Sequence, residues 1–297
     1  MYLAKIFLMC VLSGVAVGNL PFINSLKSKL GKSRLFLNKY PMSEEKNPDP
    51  INLNTKEAQT VETLIPFTIH GRIFEPVEVH NNGKSVEVIL DQPITDSYVT
   101  GGVLGTDVYF FKKKIYLWTN DTKGNAGTTI DGQSYPFDDT AIFYNKKCIT
   151  YEIALALNLP DCFVKVIFLI NTSPLPNVVF ETYSPVLREV MKAGSKAYTF
   201  LGNAIAWSSA IIPPNAIYYV YPGSFKDDAT GQEIDNVPVI LIPHIPIEMS
   251  MSENQYAETL GSFKDASGQP LTYVESQHPT NGRPILKAER VANIVIP

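Results

Sequence analysis

The residues that first invite chemistry are the adjacent carboxylates Asp138 and Asp139, close to Tyr135 and Phe137. Two carboxyl groups held about 5–9 Å apart across a cleft can hydrolyse a glycosidic bond, one as acid and one as base or nucleophile. Sequence adjacency does not supply that separation, and an adjacent acid pair is more often part of a turn. Trp118 and Trp207, with fifteen tyrosines, offer rings for stacking on sugars, but most rings in so aromatic a chain must fill the core.

The four histidines are His70, His80, His244 and His278, and none sits in an H-x-H or H-E-x-x-H pattern. His70 and His80 could face each other across strands and hold a metal with Glu75 or Glu78. An isolated histidine is more often a hydrogen-bonded or surface residue, so no metal site is assigned. Asp227, Asp228 and Asp235 lack EF-hand spacing and its closing bidentate Glu. There is no G-x-S-x-G elbow. Gly101-Gly102-Val103-Leu104-Gly105 lacks the Lys-Ser/Thr of a phosphate-binding loop. No catalytic residue and no cofactor are assigned.

Met1–Gly18 has Lys5 followed by the apolar run Ile6–Leu12, with Ala16 and Gly18 ahead of Asn19, the pattern of a cleaved secretory signal. The run is short for a bilayer span, and no stable membrane span is expected. Secretion would leave Cys148 and Cys162 as the remaining cysteines in an oxidising compartment, where they are expected to pair. In the same compartment the sequons at Asn120 and Asn171 become glycan acceptors. A formal net charge of −4 argues against non-specific nucleic-acid binding, which needs a basic face.

Behind the leader, residues 19–60 are polar and rich in breakers and read as an arm or propeptide; residues 61–297 form the globular domain, with a subdivision possible near 211. The stretch Cys148–Asn171 organises that domain. Thr150–Leu159 reads as a helix stopped by Pro160, and Phe163–Ile170 as a buried strand. Asn81-Asn82-Gly83-Lys84 between β-branched runs signals a hairpin. Lys112-Lys113-Lys114 reads as a solvated turn or a guarded edge. Ser184-Pro185 opens a helix that runs to Gly194, and Val291–Ile296 reads as a terminal strand. Gly223–Gln232 and Gly261–Gln269 echo each other and read as two similar turns rather than a repeat.

The fold expected is mainly β with a few short helices, an antiparallel sandwich or jelly-roll-like arrangement. The function expected is a secreted, extracellular, non-enzymatic structural or binding protein that presents loops to an unknown extracellular protein or carbohydrate. The alternatives are a glycan-acting hydrolase and a membrane-acting β protein whose segment Thr95–Thr129 opens into a spanning hairpin.

Overall fold

A computed structural model describes residues 21–30, 46–63, 65–70, 76–90, 96–119, 127–176, 185–200, 217–243, 251–273 and 276–290. Helix α1 (Pro21–Leu30) precedes strands β1 (Asn52–Leu53), β2 (Gln59–Thr63), β3 (Thr68–His70), β4 (Pro76–Asn81), β5 (Val86–Leu90) and β6 (Tyr98–Thr100). Strands β7 (Tyr109–Trp118), β8 (Thr129–Ile130) and β9 (Phe137–Asn145) lead to helix α2 (Tyr151–Leu157), β10 (Phe163–Ile170) and β11 (Thr172–Ser173). Then come β12 (Lys196–Phe200), β13 (Tyr218–Asp227), β14 (Gln232–Ile242), β15 (Met251–Ser252), helix α3 (Glu253–Thr259) and β16 (Leu286–Arg290).

The structure is mainly β with few short helices, as the composition suggests. In place of the two facing sheets of the expected sandwich, most strands join one large sheet, with β1–β8 and β11–β15 as separate two-stranded sheets. Among the described residues, twelve strands hydrogen-bond in the order β12-β4-β5-β7-β9-β10-β14-β13-β16-β2, with β3 and β6 attached beside β7. Most pairings are antiparallel; β10 with β14 and β16 with β2 are parallel. Both faces of the central strands are covered, so all nine residues of β9 and all but Lys165 of β10 are buried. A strand covered on both faces has no need of polar alternation, which is why Phe163–Ile170 is apolar except at Lys165.

Side chains alternate between the two faces. One face gathers Tyr116, Trp118, Phe137, Ala141, Phe143, Val166 and Phe168 into a single apolar cluster. The other carries Ile142, Tyr144 and Phe163 at one end and Ile167, Leu169, Tyr219 and Tyr221 at the other. The β13–β14 hairpin bends at an irregularity between Gly223 and Phe225 and lays Phe225, Ile234 and Val237 over the Phe163 end. Gly223 is needed there, because a Cβ would stand 2.4 Å from Asp49 Oδ2 and 2.6 Å from Val239 Cγ2.

Cys148 and Cys162 are joined (Cα–Cα 5.8 Å) and fasten α2 to the start of β10. Thr150 caps α2 by accepting from the Ile153 N–H, and Asn158 ends it in the left-handed conformation. The hairpin expected around Asn82-Gly83 forms between β4 and β5, closing at Asn81 opposite Val86. Asn81, fully buried, accepts from the Gly83 N–H and donates to the carbonyls of Met191 and Lys264.

Several expectations are corrected. Lys112–Lys114 is no turn; it lies in mid-strand in β7, with Lys113 and Lys114 buried. The rings on either side keep β7 paired with β9 past an irregularity between Phe111 and Lys113, and buried acids accept the charge of Lys113 and Lys114. Residues 46–60 are not a loose arm: Asn47, Ile51 and Leu53 are fully buried, and β1 pairs with β8. Residues 21–30 form a helix that buries Ile23 among α2 residues. The helix expected over 184–194 is shorter, at 185–189, and the ambiguous stretch after Ala197 begins as edge strand β12. The expected signal segment 1–18, the point near 211 and the terminal strand 291–296 lie outside the described residues.

Candidate functional site

Apolar sheet faces seldom carry buried charge without a reason, since an ionised group loses hydration when buried. The face that holds Trp118 and Phe137 carries one such pair. Lys114 of β7 donates from Nζ to Asp139 Oδ2 of β9 at 2.6 Å, and both side chains are over 90% buried. In the β7–β9 register Tyr116 is directly opposite Asp139, Ala141 opposite Lys114 and Phe137 opposite Trp118. Asp139 therefore has Lys114 on one diagonal and Trp118 on the other, within reach of long side chains at about 7–8 Å between backbones. The Lys114 ammonium also lies 5.6 Å from the centre of the Tyr116 ring.

The second carboxylate oxygen, Asp139 Oδ1, is buried and has no hydrogen-bond partner among the described residues. The Trp118 Nε1–H is in the same condition. Burial pushes the Asp139 carboxyl upward, against the charge and hydrogen bond of Lys114. A partly satisfied carboxylate beside an ammonium can take a proton from water and leave the ammonium to meet developing negative charge.

The sequence pair Asp138-Asp139 does not act as two acids across a cleft. Successive strand residues point to opposite faces, and Asp138 belongs to the other side. There it accepts from the Thr140 hydroxyl at 2.7 Å. Burial raises its pKa to about 7, opposed by Thr140 and Lys165 and reinforced by Asp139 and Asp49. Lys165 meanwhile donates to Asp49 Oδ2 at 3.0 Å, and the buried Arg283 reaches the carbonyls of Pro48, Pro222, Pro279 and Thr280. This second cluster ties the 46–53 segment and the 278–285 segment to the sheet.

Lys113, pointing away from Lys114, makes a third buried group: it donates to Glu87 at 2.7 Å and lies 3.8 Å from Asp227, which accepts from Tyr151 at 2.7 Å. Burial alone would raise the Asp227 pKa, but Tyr151, Lys113 and Thr230 together hold it below the usual value. The two echoed segments are similar turns, each built on an aspartate that accepts backbone N–H groups, Asp227 from Thr230 and Asp265 from Ser267 and Gln269.

The remaining candidates disperse. His70 stacks on Tyr98 with ring centres 4.4 Å apart, and His80 lies opposite Lys196 at the β4–β12 edge. His278 donates its backbone N–H to Pro50 beside Ile51. Glu78 instead accepts from Lys196 and Tyr198. His244, Glu75 and Asn120 lie outside the described residues, while Asn171 is exposed at the end of β10. Lys114 was passed over by sequence reasoning because a lysine triplet ordinarily marks a turn. The absence of Gly, Asn or Pro within Tyr109–Trp118 is the signal that could have found it.

Comparison with known proteins gives this geometry a context. The model of the eukaryotic-type carbonic anhydrase family matches residues 33–288. The chain is 25% identical over 251 residues to carbonic anhydrase 1 of Mus musculus, covering 83% of this chain and 91% of that one. It is 26% identical to carbonic anhydrase 3 of Sus scrofa (78% and 84% covered) and 27% identical to carbonic anhydrase 7 of Homo sapiens (66% and 71%).

These matches overturn the expectation of a non-enzymatic structural or binding protein, together with its glycan-hydrolase and membrane-acting alternatives: the matched family is one of enzymes. The matches lend no support to the description as a secreted glycoprotein, and the β-sandwich gives way to one twelve-stranded sheet with two separate two-stranded ones.

Carbonic anhydrase chemistry ordinarily rests on zinc held by three histidines, which brings the pKa of bound water to about 7. The described residues do not fit that centre. Three histidines would have to converge, yet His70, His80 and His278 occupy three separate parts of the fold. Among the described residues no group of three His, Cys, Asp or Glu side chains comes together to hold a metal.

Proposed function

The chain belongs to the eukaryotic-type carbonic anhydrase family, and from that premise we propose that it hydrates carbon dioxide reversibly at Lys114 and Asp139 rather than at a three-histidine centre. The substrate is taken from the names of the relatives. The observation that carries the site is the buried Lys114–Asp139 pair with one carboxylate oxygen left for a further hydrogen bond.

Asp139 Oδ1 accepts a proton from water as the water oxygen bonds to the carbon of carbon dioxide. One C=O electron pair moves onto oxygen, giving bicarbonate, and the Lys114 ammonium stabilises that charge. Asp139 then passes its proton to solvent. The upward pKa of Asp139 suits a base better than an ordinary exposed carboxylate would, because a stronger base is poised nearer neutrality.

General-base catalysis of this kind contributes about 10²–10⁴-fold. Stopped-flow hydration with an indicator dye, on full-length protein of measured metal content, should show acceleration of that order. It should persist after chelator dialysis and disappear in Asp139→Asn. No acceleration, or activity that follows bound zinc, would overturn the proposal.

A further inference from the structure

We propose that Asn281–Gly282 is a self-modification site, at which the backbone displaces the Asn281 side-chain amide, and that the isoaspartyl product frees residues 46–53 from their Arg283 anchor.

The chain has two Asn-Gly pairs, Asn82–Gly83 and Asn281–Gly282, each followed by a basic residue, Lys84 or Arg283. The same chemistry is open to both. The deprotonated glycine nitrogen bonds to the asparagine Cγ, the Cγ–Nδ2 bond breaks, and ammonia leaves with the proton. Water then opens the cyclic imide at either carbonyl, giving an aspartate or a main chain routed through Cγ. Glycine favours the step because no Cβ guards its nitrogen.

The fold treats the two pairs differently. Asn82 is half-buried, and its amide is engaged at both ends. Oδ1 accepts from the N–H groups of Lys84 and Ser85 at 2.9 and 2.8 Å, and Nδ2 donates to Ser85 Oγ and Asp228 Oδ2, both at 3.1 Å. The attacking nitrogen is engaged too, since the Gly83 N–H donates to Asn81 Oδ1 at 2.9 Å. Asn281 and Gly282 are both exposed, with φ of 51° and 69°. Among the described residues no hydrogen bond holds the Asn281 side chain or the Gly282 N–H. A Cβ on Gly282 would meet nothing within 4 Å, so the turn has room to rotate into the cyclising geometry.

The next residue ties this chemistry to the fold. The Arg283 N–H closes the turn by donating to the Thr280 carbonyl at 2.9 Å. Its fully buried guanidinium donates to the carbonyls of Thr280, Pro222 and Pro48. An isoaspartyl link adds one carbon to the main chain between Thr280 and Arg283, so the turn and the guanidinium cannot both keep their places. Pro48 leads into β1, where the carbonyls of Ile51 and Leu53 accept from the N–H groups of Thr129 and Asp131 at 3.0 and 2.8 Å.

Native protein aged in mildly alkaline buffer tests both parts. Peptide mapping should find Asn281 converted at least about tenfold faster than Asn82, since each hydrogen bond that must first break slows the step. In urea the two sites should react at similar rates. Equal rates in the folded protein, or a difference that survives unfolding, overturns the assignment. The isoaspartyl form, separated from unmodified protein, should show faster hydrogen exchange at Thr129 and Asp131. Asn281→Asp, which adds the charge without the extra carbon, should exchange like the native protein. Unchanged exchange in the isoaspartyl form, or the same loss of protection in Asn281→Asp, overturns the release of the anchor.

Discussion

Asp138 and Asp139 are neighbours in the chain and lie on opposite faces of the sheet. One accepts from Thr140 near Lys165 and Asp49; the other is bonded to Lys114 among aromatic rings. An adjacent pair that looked like one acidic site is two sites, kept apart by the thickness of a β-strand.

The Lys114–Asp139 pair should be costly to break and cheap to remove whole. Lys114→Met leaves a buried carboxylate uncompensated and should destabilise the protein by about 3–5 kcal/mol, whereas Lys114→Met with Asp139→Leu should recover most of that loss. Urea denaturation of the native protein and the two variants measures it. Equal losses in the single and double variants would show that the ammonium contributes nothing to holding Asp139.

Asp138 should make stability fall with rising pH. Its folded pKa, about 7, is above the value near 4 of an unfolded Asp, so the folded state favours the protonated form. The stabilisation is complete below about pH 4 and is lost as pH rises through 7. Asp138→Asn keeps an acceptor for Thr140 and removes the titration. Melting temperatures at pH 5 and pH 8 should lie closer together in the variant than in the native protein.

Asp227 works in the opposite direction. Tyr151, Lys113 and Thr230 keep it ionised despite burial, so its contribution is present above pH 4 and fades as pH falls below that. Tyr151→Phe removes a hydrogen bond to a buried carboxylate and should cost about 1.5–3 kcal/mol at pH 7. Thermal melts at pH 7 and pH 3 should show the difference narrowing in acid.

The Cys148–Cys162 bond closes a loop with a sequence separation of 14 residues. Loop-closure entropy at that length gives about 3 kcal/mol. Replacing both cysteines by serine should lower the melting temperature while leaving carbon dioxide hydration per folded molecule unchanged, since the bond lies at the α2 end of β10. Loss of activity at full folding would tie the disulfide to the site.

Sequence alone determined the features whose causes are local. The Asn-Gly turn after β4, a helix within Thr150–Leu159 and the buried run Phe163–Ile170 depend on residues within a few positions of one another and are legible, although the helix ends at Asn158 rather than at Pro160. Tertiary structure decided the rest. Whether Lys112–Lys114 meets water or acid depends on strands β5 and β9, which arrive from elsewhere in the chain and supply Glu87 and Asp139. Whether two acids cooperate depends on the sheet that separates their faces. The segment around Ile51 looks like an arm because few of its residues are apolar; it is fixed by Lys165, Arg283 and β8, partners 77–235 residues away that spacing in the sequence cannot reveal. A family that usually gathers three histidines is represented here by histidines spread over three sites, and only the folded chain shows that they never meet within its described residues.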